Sequence, residues 1–352
     1  MTRVREGILA VAVLIGALCI LALPVGMSPE QALTLAIMLI TLALWSTGLV
    51  PGYVASTFLF AALILTQVAT PAEVFSSFSS SAIWLVVTGF VIGAAISHSG
   101  LGQRIGTLAQ PHLSRSYTTL IGGLMLLGMG LGFVMPSSLG RAAVLVPIGM
   151  ALANALGLKP GTAGRTGVAV IIAIGTNMPS FAILPSNIPN VILSGIAEAS
   201  FGTHFTYGRY LLLHYPVLGL LKSAVIVLLV LKMFPAQIAP VDTAQSKSQS
   251  AGPRQAALMM ILLITLVLWS TDQLHGINAA WIGLGTSLLL MIPQLGFVPP
   301  PVFRSSVDFS MLLFVAGALA LGTVVASSGL GEIIADTVFG ALPFAEGRDF
   351  IN

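Results

Sequence analysis

The sequence predicts an all-α polytopic membrane protein that contains two inverted structural repeats, the second of them incomplete. Three observations lead to this prediction. Apolar residues make up 56% of the 352 residues and charged residues only 7%, whereas an ordinary soluble domain carries about 25% charged residues. The charged residues are separated by long apolar intervals. In addition, one octapeptide occurs almost unchanged in both halves of the chain.

Membrane-spanning helices follow from the charge-free intervals. No Asp, Glu, Lys or Arg lies between Glu30 and Glu73, or between Asp272 and Arg304, and a helix of about 20 apolar residues crosses a hydrocarbon layer of about 30 Å. These runs are apolar on every face, which excludes the alternating strands of a membrane barrel. The breaks between them predict membrane elements near residues 8–24, 31–50, 53–69, 82–98, 119–157, 166–196, 210–233, 257–271, 277–292 and 309–327.

The first element is predicted to be a separate N-terminal membrane helix within residues 1–28. Arg3 and Arg5 precede its apolar run, as basic residues do in a cleaved signal peptide, but no small-x-small cleavage motif stands out. We therefore expect a retained helix, with cleavage as the alternative. The single cysteine, Cys19, lies in this run and excludes an intrachain disulfide.

A long internal repeat organises the rest of the chain. Residues Ile40–Thr47 and Ile264–Thr271 share seven of eight letters, and Ser99–Gly102 is identical to Ser328–Gly331. The offsets of 224 and 229 residues place both pairs in one repeat. Trp45 and Trp269 therefore occupy equivalent helix ends, where tryptophan commonly anchors a helix at the membrane interface.

The repeat also predicts the domain boundaries. The first repeat is expected over residues 29–234, a flexible cytoplasmic linker over 235–256 and a truncated second repeat over 257–352. The linker is rich in Ser, Gln and Pro and poor in apolar residues. Five membrane elements separate the matched spans, and because five is an odd number the second copy is predicted to run in the opposite direction through the membrane.

The run 119–157 is too long for one span and predicts a re-entrant helical hairpin. Its interruption consists of the small, kinking and charged residues Gly132, Pro136, Ser137, Ser138, Gly140 and Arg141. Irregular backbone at membrane depth is tolerated only where protein or water satisfies its polar groups. If both hairpin arms open to the cytoplasm, ten Lys and Arg residues fall on the inner side and two on the outer side, which agrees with a cytoplasmic N-terminus.

Arg141 is the most costly residue of this hairpin. An arginine at membrane depth must face water, a partner or an anion. Two helix ends that meet at a hairpin tip expose backbone N–H groups, which attract anions, and C=O groups, which attract cations. A guanidinium beside such N–H groups suits a carboxylate, sulfate or phosphate oxygen. The sequence thus favours an anion clamp or gate at Arg141, with a headgroup contact at the cytoplasmic interface as the alternative.

A second break is predicted inside the element 166–196. The stretches 175–180 and 185–190 hold three prolines and three asparagines, which a continuous helix cannot accommodate. Side chains with hydroxyl and amide groups, together with freed carbonyl groups, can bind sodium or a substrate oxygen. The alternative is a kinked helix whose asparagines satisfy its own backbone.

Other functional classes have weak support. The histidines lack metal-ligand spacing, and no phosphate loop is present. His98 beside Ser99 has no counterpart in the second copy, where a glycine turn explains the helix end. We therefore expect no catalytic residues, no enzymatic activity, no cofactor beyond a possible sodium ion and no nucleic-acid partner.

These features together resemble the divalent anion:sodium symporter family, over about residues 30–352. The order of spans, the Ser-Gly-Leu-Gly sequence, the hairpin and the broken helix carry the resemblance. The family has a Ser-Asn-Thr motif at each hairpin tip, whose place is taken here by Ser137-Ser138-Leu139, and Val146-Pro147-Ile148 sets the register. Its Gly-Thr-Pro-Pro-Asn motif in the broken helix is similar to residues 186–190.

The resemblance implies the site and the function. It implies transport of small divalent organic anions of the C4-dicarboxylate type, possible cation coupling, alternating access, a homodimer and a bacterial-type plasma membrane. The alternatives are a sulfate or other oxyanion permease, an arsenite or sodium/proton exchanger, and a non-transporting assembly subunit. The expected substrate-binding residues are Ser137, Ser138, Arg141, Asn187 and Asn190. The expected cation-binding residues are Ser137, Ser138, Thr176, Asn177 and Ser186.

Two departures from the family pattern have consequences. The hairpin Asn is replaced by Ser138, and Arg141 adds a fixed positive charge that could replace a cation beside the anion. Sodium coupling is therefore in doubt, and exchange or proton coupling becomes an alternative. The repeat offset places the second hairpin tip near residue 366 (137 + 229), which predicts that this chain lacks the outer hairpin, the second broken helix and the last span.

Overall fold

The computed structural model describes residues 2–22, 27–135, 138–238 and 252–341, and these residues are almost entirely helical. They form eighteen α-helices. The helices are α1 (Thr2–Ala22), α2 (Pro29–Thr47), α3 (Gly52–Leu65), α4 (Pro71–Val74), α5 (Ser81–Ser99), α6 (Leu101–Leu113), α7 (Tyr117–Val134), α8 (Ser138–Ala155), α9 (Ala163–Gly175), α10 (Ile188–Phe201), α11 (Tyr207–His214), α12 (Lys222–Met233), α13 (Pro253–Ser270), α14 (Asp272–His275), α15 (Ala279–Met291), α16 (Pro300–Ser306), α17 (Phe309–Ser327) and α18 (Leu330–Ala341).

Six helical segments of the described chain are long and apolar enough to cross a membrane. They are Pro29–Thr47, Ser81–Ser99, Tyr117–Val134, Tyr207–Met233, Pro253–Ser270 and Phe309–Ser327. Four shorter apolar helices lie between them. The prediction of an all-helical, multi-span protein is therefore confirmed. The inverted relation of the repeats and the re-entrant path of the hairpin stay predictions.

The chain divides into two compact units that do not coincide with the sequence repeats. The first unit holds residues up to 83, residues 194–203 and residues from 309 onward, and the second holds residues 84–193 and 204–308. Each unit thus combines helices from both copies of the repeat. The predicted linker 235–256 lies largely outside the described residues.

In the first unit, α3 packs against α17 and α2 packs against both α1 and α3. Helix α2 begins with a capping box, in which the Ser28 hydroxyl accepts from the Gln31 N–H and the Gln31 side chain accepts from the Ser28 N–H. The amide nitrogen of the Gln31 side chain contacts a residue that is distant in the sequence. Its Nε2 donates to the carbonyl oxygen of Ser328 at 2.9 Å.

In the second unit, α7 packs against α6, α8 and α9, and α8 packs against α9. Glycine permits the closest of these contacts, because a Cβ atom on Gly128 of α7 would lie 2.5 Å from the carbonyl oxygen of Gly175 in α9. Small residues of this kind let membrane helices approach at backbone distance. The tight packing of α7 on α9 brings the ends of both helices together.

Residues that are equivalent in the repeat make equivalent hydrogen bonds. Trp45 Nε1 donates to the first carbonyl group of α3 at 3.1 Å, and Trp269 Nε1 donates to the first carbonyl group of α15 at 2.9 Å. Gln255, which lies 224 residues after Gln31 (31 + 224), donates to Ser99 O at 3.0 Å. The repeat is therefore visible in side-chain contacts within each unit as well as in the sequence.

Trp269 corrects one expectation. Its side chain is only 2% exposed and packs beside the Tyr207 ring, with 5.7 Å between ring centroids, rather than facing a membrane interface. The indole is buried because helix α11, whose position the local sequence does not reveal, covers the end of α13. Trp45, by contrast, is half-buried and makes an edge contact with Phe314.

Candidate functional site

The first predicted break is present between α7 and α8. Helix α7 ends at Val134, and Met135 follows it in an extended conformation. Helix α8 begins at Ser138, whose side chain is half-buried. The predicted site residue Ser137 lies outside the described residues. The described helix is therefore interrupted at Met135, directly before the Pro-Ser-Ser segment at which the sequence placed the break.

The second predicted break is also present, between α9 and α10. Two short 3₁₀ turns, Met178–Ala182 and Leu184–Ser186, replace a continuous helix there. Pro179 and Pro185 stand near the start of these turns, and proline cannot donate the backbone hydrogen bond that would continue an α-helix. The chain then passes through extended Asn187 into α10.

Arg141 joins the two breaks. Its side chain is 0% exposed, although it begins in the first turn of α8. Nε donates to Thr176 O at 2.7 Å, and Nη1 donates to Met135 O. Nη1 and Nη2 also donate to Ser186 Oγ at 2.9 Å and to Ser186 O at 3.4 Å. Within the described chain the guanidinium is therefore held by carbonyl and hydroxyl oxygens from three separate segments.

Ser186 links the second break to helix α7. Its hydroxyl is fully buried, accepts from Arg141 and donates to Gly132 O at 2.7 Å. Gly132 is one of the interruptions that the sequence placed in the hairpin, and its missing side chain leaves room beside Ile183 and Ser186. The structure thus brings together three predicted site residues, namely Arg141, Thr176 and Ser186.

Asn187 and Asn190 are buried, and both direct their amide N–H groups at the broken segment itself. Asn187 Nδ2 donates to Ser180 Oγ at 3.2 Å. Asn190 Nδ2 lies 3.1 Å from Phe181 O and from Ile183 O, and 3.3 Å from Ser180 O. The Asn190 amide thereby adds hydrogen bonds within the broken segment, where Ser180 O and Ile183 O also accept backbone N–H groups of the 3₁₀ turns. Neither Oδ1 atom receives a hydrogen bond from another residue that the structure describes.

The remaining predicted residues take part through their backbone. The Asn177 carbonyl accepts from the Ser180 N–H at 3.2 Å and from the Ser180 hydroxyl. The Thr176 hydroxyl donates to Ala173 O at 3.1 Å, so that only its carbonyl group faces Arg141. A role for the Asn177 side chain and for Ser138 in binding stays a prediction.

Lys222 is a site residue that the sequence analysis missed. Its Nζ donates to Met178 O at 3.0 Å and lies 5.4 Å from the centroid of the Phe181 ring. It is the second cationic side chain that binds a carbonyl group of the broken segment. A signal was available, because Lys222 lies in the middle of the apolar run 210–233, where a charged side chain is costly in the same way as the arginine in the hairpin.

Asp272 is a second residue that the sequence analysis missed, and it supports the site indirectly. The sequence analysis used it only as the boundary of an apolar interval, but its side chain is only 4% exposed. Its carboxylate accepts from the backbone N–H groups of Tyr207 and Gly208, at the start of α11. The negative charge therefore caps a helix N-terminus whose N-cap residue, Thr206, makes no side-chain cap. In turn, Tyr210 of this helix donates its hydroxyl to Phe181 O at 3.2 Å.

The four helix ends at the two breaks define the electrostatics of the site. The C-terminal ends of α7 and α9, which carry partial negative charge, lie at the Arg141 guanidinium. The N-terminal ends of α8 and α10, which carry partial positive charge, start from the same two breaks. The arrangement therefore offers a cationic group seated between carbonyls and, beside it, helix ends suited to an anion.

Comparison with known proteins identifies similar sequences over most of the chain. The transmembrane region of sodium:sulfate symporters matches residues 2–347. A membrane protein of Cupriavidus necator is 24% identical over 265 residues, which cover 73% of this chain and 52% of that protein. An L-tartrate/succinate antiporter of Shigella dysenteriae is 22% identical, covering 76% of this chain and 58% of the antiporter. The sodium-dependent dicarboxylate transporter SdcS of Staphylococcus saprophyticus is 22% identical, covering 88% and 65%. The chain thus spans about half to two thirds of the length of these relatives.

Proposed function

Because the chain belongs to the sodium:sulfate symporter family, a family of membrane transporters, we propose that it carries small divalent organic anions of the C4-dicarboxylate type by alternating access. The structural observation that supports this function is the start of α8 and α10 at two interior breaks that Arg141 ties together. Two helix N-termini in one region provide the N–H groups that a dianion requires. This arrangement is typical of carriers built from discontinuous helices.

The dicarboxylate is favoured over other anions by the relatives. Two of them are named for tartrate, succinate or dicarboxylates. Sulfate is the second candidate, because the family itself is described by sulfate. The antiporter among the relatives supports anion exchange as the mode of transport, and the sodium-dependent transporter supports cation coupling.

The proposed substrate contacts are the amide oxygens of Asn187 and Asn190 and the N–H groups at the starts of α8 and α10. In a dicarboxylate that carries a hydroxyl group, that hydroxyl would donate to one of these Oδ1 atoms. Its carboxylate groups would accept from the helix N-termini. Ser137 and Ser138 remain proposed ligands at the hairpin tip. Conformational change would expose this region to one side of the membrane and then to the other.

Uptake into proteoliposomes tests this function. The chain, and alongside it the complete product of its gene, would be reconstituted and supplied with labelled succinate, malate or sulfate. We expect succinate uptake above that of protein-free vesicles, competition by malate, and stimulation by dicarboxylate inside the vesicles. Absence of uptake of every anion by both proteins would refute the carrier function, and uptake of sulfate alone would replace the dicarboxylate by the second candidate.

A pair of variants tests the site. Asn187→Ala removes an amide oxygen from the second break, and we expect at least tenfold slower uptake of malate, whose hydroxyl group can donate to that oxygen, as loss of about 1.4 kcal/mol of substrate binding would produce. Asn154→Ala removes an exposed asparagine side chain of α8 that accepts from Arg165, and uptake should be unchanged. Equal uptake by the two variants would exclude Asn187 from the substrate site.

The orientation and assembly are proposed separately. We place the N-terminus and the segment after residue 238 on the cytoplasmic side of a bacterial plasma membrane, on the distribution of Lys and Arg. Fusions of green fluorescent protein and alkaline phosphatase at both points should be fluorescent and enzymatically silent, respectively. The resemblance implies a homodimer. Light scattering of the purified protein in detergent measures its molar mass, and the mass of a monomer would contradict the homodimer.

A further inference from the structure

The oxygens around Arg141 form a cation site rather than an anion site. Met135 and Thr176 directly follow the last residues of α7 and α9, so that their carbonyl groups are among those that a helix leaves unpaired at its C-terminal end. Neither carbonyl group accepts a backbone N–H within the described chain. Both accept from the guanidinium instead, and Ser186 adds its hydroxyl and its carbonyl oxygen.

The charge at this position is already balanced. Each helix C-terminus carries roughly half a negative charge, so that two of them match one positive charge. Arg141 supplies that charge from within the chain and is fully buried. The four hydrogen bonds that the described residues accept from it use the oxygens that would otherwise turn to a hard cation such as sodium.

A sodium ion therefore does not fit this position in the structure. The ion would share its ligands with the guanidinium, which cannot be deprotonated at any physiological pH. It would also stand within a few ångströms of a second positive charge in a buried setting, where the repulsion is weakly screened. The oxygen set is suitable for sodium, but the chain fills it with its own side chain.

We propose that Arg141 is a tethered replacement for a coupling sodium ion, so that the seat formed by Met135 O, Thr176 O and Ser186 binds no sodium. This inference rests on the proposed carrier function and specifies its coupling, because a cation that cannot leave its seat cannot transfer the energy of a sodium gradient. Removal of the guanidinium by a small neutral residue should uncover the seat and create a sodium site that the natural protein lacks.

Hydrogen exchange measured by mass spectrometry tests the seat without any transport assay. The full chain in nanodiscs would be compared in sodium chloride and in choline chloride at equal ionic strength, with peptides that cover residues 129–146 and 172–191. For the natural protein, we expect the same exchange rates in both salts. For Arg141→Ser, we expect faster exchange in choline and about tenfold slower exchange on addition of sodium, which corresponds to about 1.4 kcal/mol.

Two further variants make the test decisive. Arg141→Lys keeps the positive charge and should stay insensitive to sodium, even if Arg141→Ser fails to fold. Arg165→Ser makes the same chemical change at an arginine that bonds Asn154 and Leu158 O outside the breaks, and it should show no sodium-specific effect on these peptides.

Three outcomes would overturn the inference. These are sodium-specific protection of the two regions in the natural protein, an equal sodium response in Arg141→Lys and Arg141→Ser, and a folded Arg141→Ser variant that ignores sodium. None of them depends on substrate uptake. A failure to transport dicarboxylates would refute the proposed function and leave this result in place.

Discussion

Replacement of Gly128 by alanine tests how closely α7 and α9 must pack to hold the two breaks together. A Cβ atom at this position would lie 2.5 Å from Gly175 O and 2.8 Å from Gly175 C. Ordinary van der Waals contact begins at 3.4 Å, so that the helices must separate by 0.9 Å (3.4 − 2.5). Because the opposing atoms belong to the backbone, no side-chain rotation can relieve the clash.

The expected cost follows from a comparison within the same helix. Overpacking of a closely packed interior costs about 1–3 kcal/mol, whereas alanine gains up to about 1 kcal/mol over glycine in a helix. Gly130 also lies in α7, and a Cβ atom there would meet no atom within 4 Å. Since both variants gain the same helix propensity, their difference isolates the packing cost, for which we expect about 2 kcal/mol.

The measurement is the free energy of unfolding of both variants in mixed micelles, followed by circular dichroism. Gly128→Ala should be less stable than Gly130→Ala, and its amides near Thr176 should exchange faster, because the shift of α9 stretches the 2.7 Å bond from Arg141 Nε to Thr176 O. If Gly128→Ala is as stable as Gly130→Ala, the close approach of α7 and α9 does not support the site.

Three further predictions concern single contacts. Asn190→Leu should lower the free energy of unfolding by about 2 kcal/mol, because the hydrogen bonds from its amide to Phe181 O and Ile183 O are lost. Asp272→Asn should cost about 1–2 kcal/mol, because the start of α11 at Tyr207 loses a negative charge, and thermal unfolding measures both variants. The N–H and the hydroxyl of Thr70 donate to Glu73 and lower the pKa of its carboxyl, and Thr70→Val should raise that pKa in a ¹³C NMR titration.

The two stability predictions have matched control variants. Asn154→Leu and Asp336→Asn alter exposed residues of the same types and should change stability by less than about 0.5 kcal/mol. For Glu73, the hydrogen bonds from Thr70 hold the folded pKa below the ordinary value of a glutamate carboxyl. The stabilisation from this contact is therefore complete above the unfolded pKa and is lost as the pH falls through the lowered folded value. An unchanged pKa in Thr70→Val would mean that the hydroxyl bond is absent in solution.

Much of the architecture is local in origin, and the sequence predicted it. The apolar runs and their charge-free boundaries placed the spans, because a helix in lipid needs only its own length and polarity to form. Both interior breaks also fall where predicted, because proline, which cannot donate a backbone hydrogen bond, occurs there together with small and polar residues that favour irregular backbone. The internal repeat was also recognised from the sequence. The structure agrees with it, because Trp45 and Trp269 make equivalent hydrogen bonds.

The contacts of the candidate site could not be predicted from the local sequence. The sequence indicated that Arg141 needs a partner, but it did not show whether that partner is an anion, a headgroup or the chain itself. It also missed Lys222 and Asp272, and it placed Trp269 at the membrane interface. All four depend on segments that are distant in sequence, such as Ser186 for Arg141, 45 residues away.

The sequence by itself therefore determined the helical membrane class, the positions of the two breaks and the presence of a costly buried charge. The tertiary structure decided what that charge binds. Two helices end side by side because Gly128 permits α7 to touch α9, and their unpaired carbonyl groups then face the same point. The physical reason is that helix formation depends on neighbours in the chain, whereas the meeting of two helix ends depends on packing across it.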